Sequence, residues 1–196
     1  MTLNRSIYRT FFKWNKLVWQ RVNQSTLNIL GRHLQKLRQD KGVSLSQLAA
    51  GAGIAKSNLS RLEQGNGNPT LDTIWRLAKQ LDVPFGQLVQ PLSTSVGENG
   101  VEVRLIEQGQ GEPNVDAYWM SVAPNTLREA EAHATGTKET ITVISGTLEA
   151  GNIGSTQLLH PGQSTNFRAD LPHVYKTQDD WATCLITIVY HKEAME

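Results

Sequence analysis

Polar side chains that could pair with DNA bases lie together between residues 56 and 61. The segment combines two basic residues with one amide and two hydroxyls, namely Lys56, Ser57, Asn58, Ser60 and Arg61. Lys and Arg donate hydrogen bonds that suit the O6 and N7 acceptors of guanine, Asn suits adenine, and Ser pairs with several bases. At helical spacing these side chains point away from an apolar face formed by Ile54, Leu59 and Leu62. Such a helix can enter the major groove, although a merely solvated helix face is the simpler alternative.

The residues before this helix predict another short helix and a tight turn. Ser44-Leu45-Ser46-Gln47 fits a capping box, with Ser44 as the N-cap and Gln47 as its N3 partner. Ala49 is small where the two helices would cross closely, and Gly53 permits the positive φ that the turn needs. The combination of cap, turn and polar outer face favours DNA binding over the solvated-face alternative.

Apolar residues recur at helical spacing from about Ser25 to Pro91, which predicts a helical domain. The groups are Leu27, Leu30, Leu34 and Leu37; Leu45, Leu48 and Ala49; Leu59 and Leu62; and Leu71, Ile74, Leu77, Ala78 and Leu81. Glycines and prolines fall between these groups, and Thr70 is a suitable N-cap for the last of them. The pattern predicts about five short helices.

Charge is distributed unevenly along the chain of 196 residues, although the formal net charge is only +1. Residues 1–25 carry five basic residues and no acidic ones, and residues 26–91 carry a net charge of +4. Residues 92–196 carry a net charge of −8. A basic first half and an acidic second half indicate a polyanionic partner for the first half alone.

Residues 30–90 resemble the XRE family of helix-turn-helix domains, which is named after phage repressors. The matching motifs are Leu48-Ala49, Leu59-Ser60-Arg61-Leu62-Glu63-Gln64-Gly65, Asn68-Pro69-Thr70-Leu71 and Leu81-Asp82-Val83-Pro84. The resemblance implies a base-reading helix that starts at Lys56. It also implies that Lys56, Ser57 and Arg61 occupy base-contacting positions.

The chain departs from the XRE pattern at Leu45, where many members carry a phosphate-binding Gln. Backbone amides capped by Ser44 could replace that contact. The expected DNA-binding set is therefore Ser44, Lys56, Ser57, Asn58 and Arg61. We expect the partner to be a double-stranded DNA operator bound by a homodimer, because two small domains can share a twofold site.

The periodicity changes from 3.6 to 2 after about residue 101. Apolar residues alternate along four segments: Val101/Val103/Leu105, Tyr118/Met120/Val122, Ile141/Val143 and Cys184/Ile186/Ile188/Tyr190. Regular breaks rich in Gly and Asn predict an all-β sandwich or barrel. The expected organisation is a basic, aromatic N-terminal extension at 1–24, a DNA-binding domain at 25–91, a linker at 92–100 and a β domain at 101–196.

The β domain resembles the cupin barrel, a double-stranded β-helix. Glu139 precedes Gly146 at the spacing found at the end of the first cupin motif. Leu159-His160-Pro161-Gly162, followed by Leu171-Pro172-His173-Val174-Tyr175, resembles the second motif. The two resemblances imply an α + β chain of two domains: an all-α, five-helix phage-repressor-like domain followed by an all-β cupin barrel.

The cupin resemblance also implies a site inside the barrel. His133, Glu139 and His173 fall on the family's first His, its Glu and its last His, whereas Thr135 occupies the position of the second His. Alternation along a strand places Glu131 on the face of His133, so Glu131 could supply the missing ligand. A divalent transition metal is one interpretation of this set.

A metal-free pocket is the other interpretation, and the missing His favours it. His173 and Tyr175 are two residues apart and share a strand face. From that face they could hydrogen-bond an organic effector. The expected effector pocket comprises His133, Glu139, His173 and Tyr175.

Together these features favour a DNA-binding transcriptional regulator whose barrel senses a small-molecule effector, rather than an enzyme. A cupin metalloenzyme with an accessory DNA-binding module is one alternative, but it needs an adequate open metal site. A toxin–antitoxin or scaffold module, whose β domain binds only protein, is another. The single cysteine, Cys184, and the lack of an 18-residue apolar stretch suit a cytoplasmic protein without a transmembrane segment.

Overall fold

The computed structural model describes residues 24–92 and 95–190. We refer to residues 24–92 as the helical domain and to residues 95–190 as the β domain. The helices are α1 (Gln24–Asp40), α2 (Leu45–Gly51), α3 (Lys56–Glu63), α4 (Leu71–Leu81) and α5 (Phe85–Val89). The strands are β1 (Val96–Glu98), β2 (Val101–Glu107), β3 (Asn114–Val122), β4 (Leu127–Ala130), β5 (Lys138–Ser145), β6 (Leu148–Asn152), β7 (Ser155–Leu159), β8 (Ser164–Arg168), β9 (His173–Lys176) and β10 (Ala182–Tyr190). The expected N-terminal extension at 1–24 lies outside the described residues, except for Gln24 in α1.

The helical domain folds around the apolar residues that the helical spacing predicts. The buried set includes Leu30, Leu34, Leu48, Leu59, Leu71, Ile74, Leu77 and Leu81. The capping box is present, since the Ser44 hydroxyl accepts the Gln47 N–H and the Gln47 side chain accepts the Ser44 N–H. Thr70 caps α4, and Gly53 between α2 and α3 has a φ of +64°. The predicted helix-turn-helix and its flanking helices are confirmed.

The β domain consists of two antiparallel sheets. The larger sheet has the strand order β1-β2-β3-β10-β5-β8, and the smaller has the order β4-β9-β6-β7. Buried and outward side chains alternate along β3, β5 and β10, as the period-2 pattern predicts. The buried faces of both sheets enclose one apolar core that includes Tyr118, Met120, Ile141, Val143, Leu148, Ala150, Cys184 and Ile186.

Strand β1 lies within the segment 92–100, whose composition suggests a linker. It pairs with β2 across a turn at Asn99 and Gly100, both of which have positive φ. Asn-Gly is a favoured two-residue hairpin turn because its backbone matches the twist of the flanking strands. Three residues of this segment therefore belong to the larger sheet.

Helix α4 lies between the two domains. Its apolar face packs in the helical core through Ile74, Leu77, Ala78 and Leu81. Its opposite face contacts the β domain through Asp72, Trp75, Arg76 and Lys79. These four positions follow the pattern i, i+3, i+4 and i+7, so they share one side of the helix. One helix thus belongs to the helical core and to the domain interface.

Helix α5 extends this interface. Phe85 stacks on Trp75 with ring centroids 4.5 Å apart, and its ring meets Tyr118 edge-on at 5.7 Å. The Gly86 N–H donates to Oδ2 of Asp116 at 3.2 Å, and the Tyr118 hydroxyl donates to the same oxygen at 2.7 Å. The two domains are therefore joined by packed apolar and polar contacts as well as by the chain. Across residues 24–92 and 95–190, no helix has the length and apolar character needed to span a membrane.

Candidate nucleic-acid interface and ligand site

Helix α3 presents the predicted base-reading side chains to solvent. The exposed residues are Lys56, Ser57, Asn58 and Arg61. Leu59, on the opposite side of the helix, is fully buried. The Arg61 guanidinium donates from Nη2 to the carbonyl of Asn66 at 3.2 Å. The structure therefore places these four side chains on one accessible helix, as a base-reading role requires.

A shielded ion pair fixes α3 against α1. Arg38 donates from Nε and Nη2 to both carboxylate oxygens of Glu63, at 2.6 and 2.8 Å. A third bond joins Arg38 Nη1 to the carbonyl of Val43 at 3.0 Å. Because a bidentate pair fixes orientation as well as distance, Glu63 sets the direction in which α3 points. The sequence pattern includes Glu63 in the XRE motif, but it gives no signal for Arg38.

Ser44 lies at the start of α2 rather than on α3. Its hydroxyl accepts the Gln47 N–H at 3.2 Å, and the residue is exposed. Ser44 therefore caps the first helix of the motif.

The β domain brings His133, Glu139, His173 and Tyr175 together in its interior. Glu139 comes from β5, His173 and Tyr175 come from β9, and His133 comes from the segment between β4 and β5. One ligand atom from each of His133, Glu139 and His173 lies within 4.8 Å of the others. The Tyr175 hydroxyl donates to Glu139 Oε1 at 2.6 Å, and His133 Nε2 lies 3.9 Å from Glu139 Oε2. All four residues are buried.

Two histidine nitrogens of this cluster are buried without a hydrogen-bond partner among the described residues: His133 Nδ1 and His173 Nε2. His173 Nδ1 donates to the carbonyl of Leu171 at 2.9 Å, so Nε2 is the ring nitrogen that remains available to a ligand. Metal-binding histidines commonly make such a second hydrogen bond. Donors bound about 2.1 Å from one ion are at most about 4.2 Å apart, and the 3.9 Å between His133 Nε2 and Glu139 Oε2 lies within that limit. Two imidazoles and a carboxylate form a donor set that fits a divalent transition metal.

Burial sets the protonation of the cluster. Removal from water lowers the pKa of His133 well below its usual range, and the neighbouring His173 lowers it further. Burial raises the pKa of Glu139, while His173 and the hydrogen bond from Tyr175 act in the opposite direction. His133 is therefore neutral at physiological pH, the form that binds a metal or accepts a hydrogen bond.

The structure does not bring Glu131 or Thr135 to the cluster. Strand β4 ends at Ala130, so strand alternation does not continue as far as His133. The Glu131 side chain is 56% exposed and pairs with Arg76 of α4 at 3.5 Å. Thr135 is also exposed. His133 reaches the interior from a loop, whereas the side chains of Glu131 and Thr135 are exposed.

A cavity of about 30 Å³ adjoins the cluster. The helical domain lines it with Leu71, Trp75 and Phe85, and the β domain adds Arg128, Met120, Ile186 and other residues. A volume of this size holds about two water molecules. Trp75 lies flat on His133, so helix α4 forms one wall of the cavity beside the cluster.

Trp75, Phe85 and Arg128 are candidate functional residues that the sequence pattern does not indicate. Trp75 offers one usable signal, because a large aromatic on the outer face of an amphipathic helix suggests a covered surface. Arg128 and Phe85 have no comparable signal, since their importance depends on contacts between the two domains.

Comparison with known proteins agrees with the helix-turn-helix geometry. The HTH_3 helix-turn-helix family model matches residues 34–88. The chain is 27% identical to the HTH-type transcriptional regulator SutR of Escherichia coli over 174 residues, which cover 86% of this chain and 98% of SutR. It is 36% identical over 63 residues to the uncharacterized HTH-type transcriptional regulator y4dJ of Sinorhizobium fredii, covering 32% of this chain and 82% of y4dJ.

One solved structure shares the two-part fold. The crystal structure of an HTH_3 family transcriptional regulator from Vibrio cholerae matches 86% of this chain and 99% of that chain, with a TM-score of 0.77 and 22% identity. A Cupin_2 domain of an XRE family transcriptional regulator from Enterobacter cloacae matches 48% of this chain and 99% of that domain, with a TM-score of 0.44 and 26% identity. The predicted order of an all-α domain followed by an all-β domain is confirmed.

Proposed function

Because this chain belongs to the helix-turn-helix family of transcriptional regulators, we propose that it binds operator DNA sequence-specifically and senses a small-molecule effector in its β domain. The proposed DNA-binding residues are Ser44, Lys56, Ser57, Asn58 and Arg61. The proposed effector pocket comprises His133, Glu139, His173 and Tyr175. The proposed domains are those at 25–91 and 101–196, and the segment 92–100 between them adds β1 to the larger sheet.

One observation carries the sensing role: the helical domain forms a wall of the cavity in the β domain. Trp75 on α4 covers His133, and the opposite face of α4 packs in the core that supports α3. An effector that fills the cavity must change the contact with Trp75 and therefore the position of α4. A ligand that prefers one arrangement of α4 shifts the population toward that arrangement.

The proposed regulator acts as a homodimer through the outer face of the larger sheet. Three adjacent strands of this sheet, β3, β10 and β5, carry outward side chains that are largely apolar or hydroxylated. These side chains are Val115, Ala117, Trp119, Ser121, Thr183, Leu185, Thr187, Val189, Thr140, Thr142 and Ile144. A twofold interface places the same patch of each subunit against its copy. Lys138, at the start of β5, is the one charged side chain on the outward faces of these three strands. The rest of the patch is uncharged and avoids like-charge repulsion in that arrangement, and two copies offer two α3 helices to a twofold operator.

A divalent metal in the pocket would be held by His133, Glu139 and His173. Such an ion would supply open coordination positions for an oxygen or nitrogen atom of the effector. The Tyr175 hydroxyl engages Glu139 Oε1, which leaves Oε2 facing His133. Tyr175 thus positions the carboxylate whether or not the effector binds through a metal.

Selection of bound duplexes from a random DNA pool, using the full chain, tests the proposal. We expect enrichment of a sequence with twofold symmetry, because a dimer presents two copies of α3. The affinity for that sequence is then measured with divalent metals and with small organic metabolites. Failure to enrich any sequence would contradict the DNA-binding role, and an affinity that responds to none of the compounds would contradict the sensing role.

The donor set of His133, Glu139 and His173 also favours a second candidate function, a cupin metalloenzyme with an accessory DNA-binding module. This function ranks second because the relatives that match the chain are named as regulators. An oxygen-consumption screen of iron-loaded protein separates the two. Sustained turnover of a substrate indicates an enzyme, whereas a sensor binds its ligand without consuming it.

A further inference from the structure

Arg128 is a cavity residue to which the proposed function gives no role. It lies on β4 and lines the same cavity as His133, Glu139 and His173. Its side chain is only 12% exposed. Its positive charge reaches the cluster, since it lowers the pKa of both His133 and Glu139.

The partner of Arg128 comes from the helical domain. Arg128 Nη2 donates to Asp72 Oδ1 at 2.6 Å, and Asp72 lies in the first turn of α4. The neighbouring interdomain pair, Arg76 with Glu131, is longer at 3.5 Å and more exposed. Asp72 is not among the residues that line the cavity. Arg128 therefore lies between the cavity and the carboxylate of Asp72 at the domain interface.

An arginine in this position can exchange one carboxylate for another. A guanidinium has five N–H donors, and it binds a carboxylate best through two parallel hydrogen bonds. Among the described residues, Asp72 engages Arg128 through Nη2 alone. The unpartnered nitrogens of His133 and His173 supply further polar contacts within the same cavity.

We propose, on the basis of the effector role above, that the cavity binds a small organic carboxylate through Arg128 and that this anion displaces Asp72. The remaining walls include Leu71, Phe85, Val103, Met120, Ile186 and Ile188, so the ligand carries a short aliphatic body. A cavity of about 30 Å³ is too small for such a molecule. Entry of the ligand therefore moves Trp75 away from His133. Helix α4, which carries Trp75, also loses the ion pair between Asp72 and Arg128.

Calorimetric titration of the full chain with isobutyrate tests this inference, with uncharged isobutyramide as a control of the same size. We expect isobutyrate to bind and isobutyramide not to bind. Asp72→Asn removes the competing carboxylate and should tighten isobutyrate binding about five- to tenfold. Arg128→Gln should abolish binding. Asp72→Asn keeps the side-chain shape, so it remains informative if Arg128→Gln fails to fold.

Fluorine NMR of the chain labelled with 5-fluorotryptophan provides a second measurement, with the Trp75 signal assigned from Trp75→Phe. We expect isobutyrate to shift that signal, because the ring leaves His133. The inference is overturned if isobutyrate binds neither the wild type nor Asp72→Asn, if Asp72→Asn binds no more tightly, if the amide binds equally, or if the Trp75 signal does not move.

DNA selection gives an independent result. A chain that binds isobutyrate in this way but enriches no DNA contradicts the proposed function and leaves the anion site intact. A chain that enriches DNA but fails these titrations overturns the anion site alone.

Discussion

The indole of Trp75 lies on the imidazole of His133, with ring centroids 3.6 Å apart and ring planes at 18°. Trp75 belongs to helix α4 of the helical domain, and His133 belongs to the candidate ligand site of the β domain. Phe85 of α5 stacks on the same indole. The candidate ligand site is thus covered by aromatic side chains of the DNA-binding domain, and its occupation cannot be independent of that domain's position.

Gly86→Ala is expected to weaken the domain interface. A Cβ at this position would meet Oδ2 of buried Asp116 and lie 3.1 Å from the Tyr118 hydroxyl, so α5 must move away from β3. We expect a loss of about 1–3 kcal/mol in the free energy of unfolding, measured by denaturant titration. Gly111→Ala is the control, because its nearest neighbour is 3.9 Å away. Equal stability of both variants would show that the contact at Gly86 is loose.

Arg61→Ala is expected to weaken operator binding by about 1–3 kcal/mol and to relax the preference at one base position. The reason is the place of Arg61 on the exposed side of α3. Fluorescence anisotropy on the selected operator and on single-base variants measures both effects. Lys176→Ala removes the same charge from the smaller sheet and should change neither. Unchanged affinity and base preference for Arg61→Ala would exclude a base-reading role.

Leu185→Glu is expected to prevent the proposed homodimer from forming. Leu185 lies on the central strand β10, opposite Trp119 on one side and Thr142 on the other. A glutamate there would place an unpaired charge in the interface, which weakens dimerisation by about 3–5 kcal/mol. Light scattering of the full chain at micromolar concentration measures the mass.

The control for this change is Leu158→Glu. Leu158 is 53% exposed on β7, an edge strand of the smaller sheet, so this variant should stay dimeric. A wild-type chain that is monomeric at the same concentration would show that the outer face of β3, β10 and β5 does not self-associate. If only Leu158→Glu dissociates the dimer, the interface lies on the smaller sheet.

Local physical signals account for the parts of the fold that the sequence predicts. An N-cap needs a hydroxyl three residues before the backbone N–H that donates to it, so the start of α2 at Ser44 and of α4 at Thr70 can be seen in the sequence. The turn at Gly53 requires positive φ. Alternation along β3, β5 and β10 follows from one face being buried. Each of these signals lies within a few consecutive residues.

The contacts between the domains have no such local signal. Trp75 meets His133 and Asp72 meets Arg128 across 58 and 56 residues of chain, and no periodicity relates those positions. Alternation also fails where a strand ends, which is why extending it beyond Ala130 places Glu131 beside His133. The sequence could therefore predict the residues of the cluster but not the helix that covers them.

Asp170→Asn is expected to lower stability at neutral pH more than in acid. Asp170 holds the loop after His133, since Oδ2 accepts the Gly136 N–H at 2.8 Å and Arg168 donates to both oxygens at 2.9 Å. The bonds from Arg168 hold the pKa of Asp170 at about 2, below the unfolded value of about 3.9. This stabilisation is present above the unfolded pKa and is lost as the pH falls toward 2.

Thermal denaturation of wild type and Asp170→Asn at neutral pH and at two acidic pH values checks this dependence. We expect a Tm difference of a few degrees at neutral pH. The difference should shrink once the pH falls below about 4. A difference that stays constant over this range would show that the carboxylate charge of Asp170 does not contribute.

Cobalt(II) is expected to bind one site per chain, with His133, Glu139 and His173 as protein ligands. The unpartnered Nε2 of His173 is the nitrogen available to an ion, so His173→Ala should weaken binding by at least about tenfold to a hundredfold. Visible absorption during titration measures the affinity. Glu131→Ala is the matched control and should bind like the wild type, because the Glu131 side chain is 56% exposed and pairs with Arg76. Equal losses of cobalt affinity in His173→Ala and Glu131→Ala would show that Glu131 is a metal ligand. Wild-type affinity in His173→Ala would instead leave the pocket free of metal, with His173 and Tyr175 binding the effector directly.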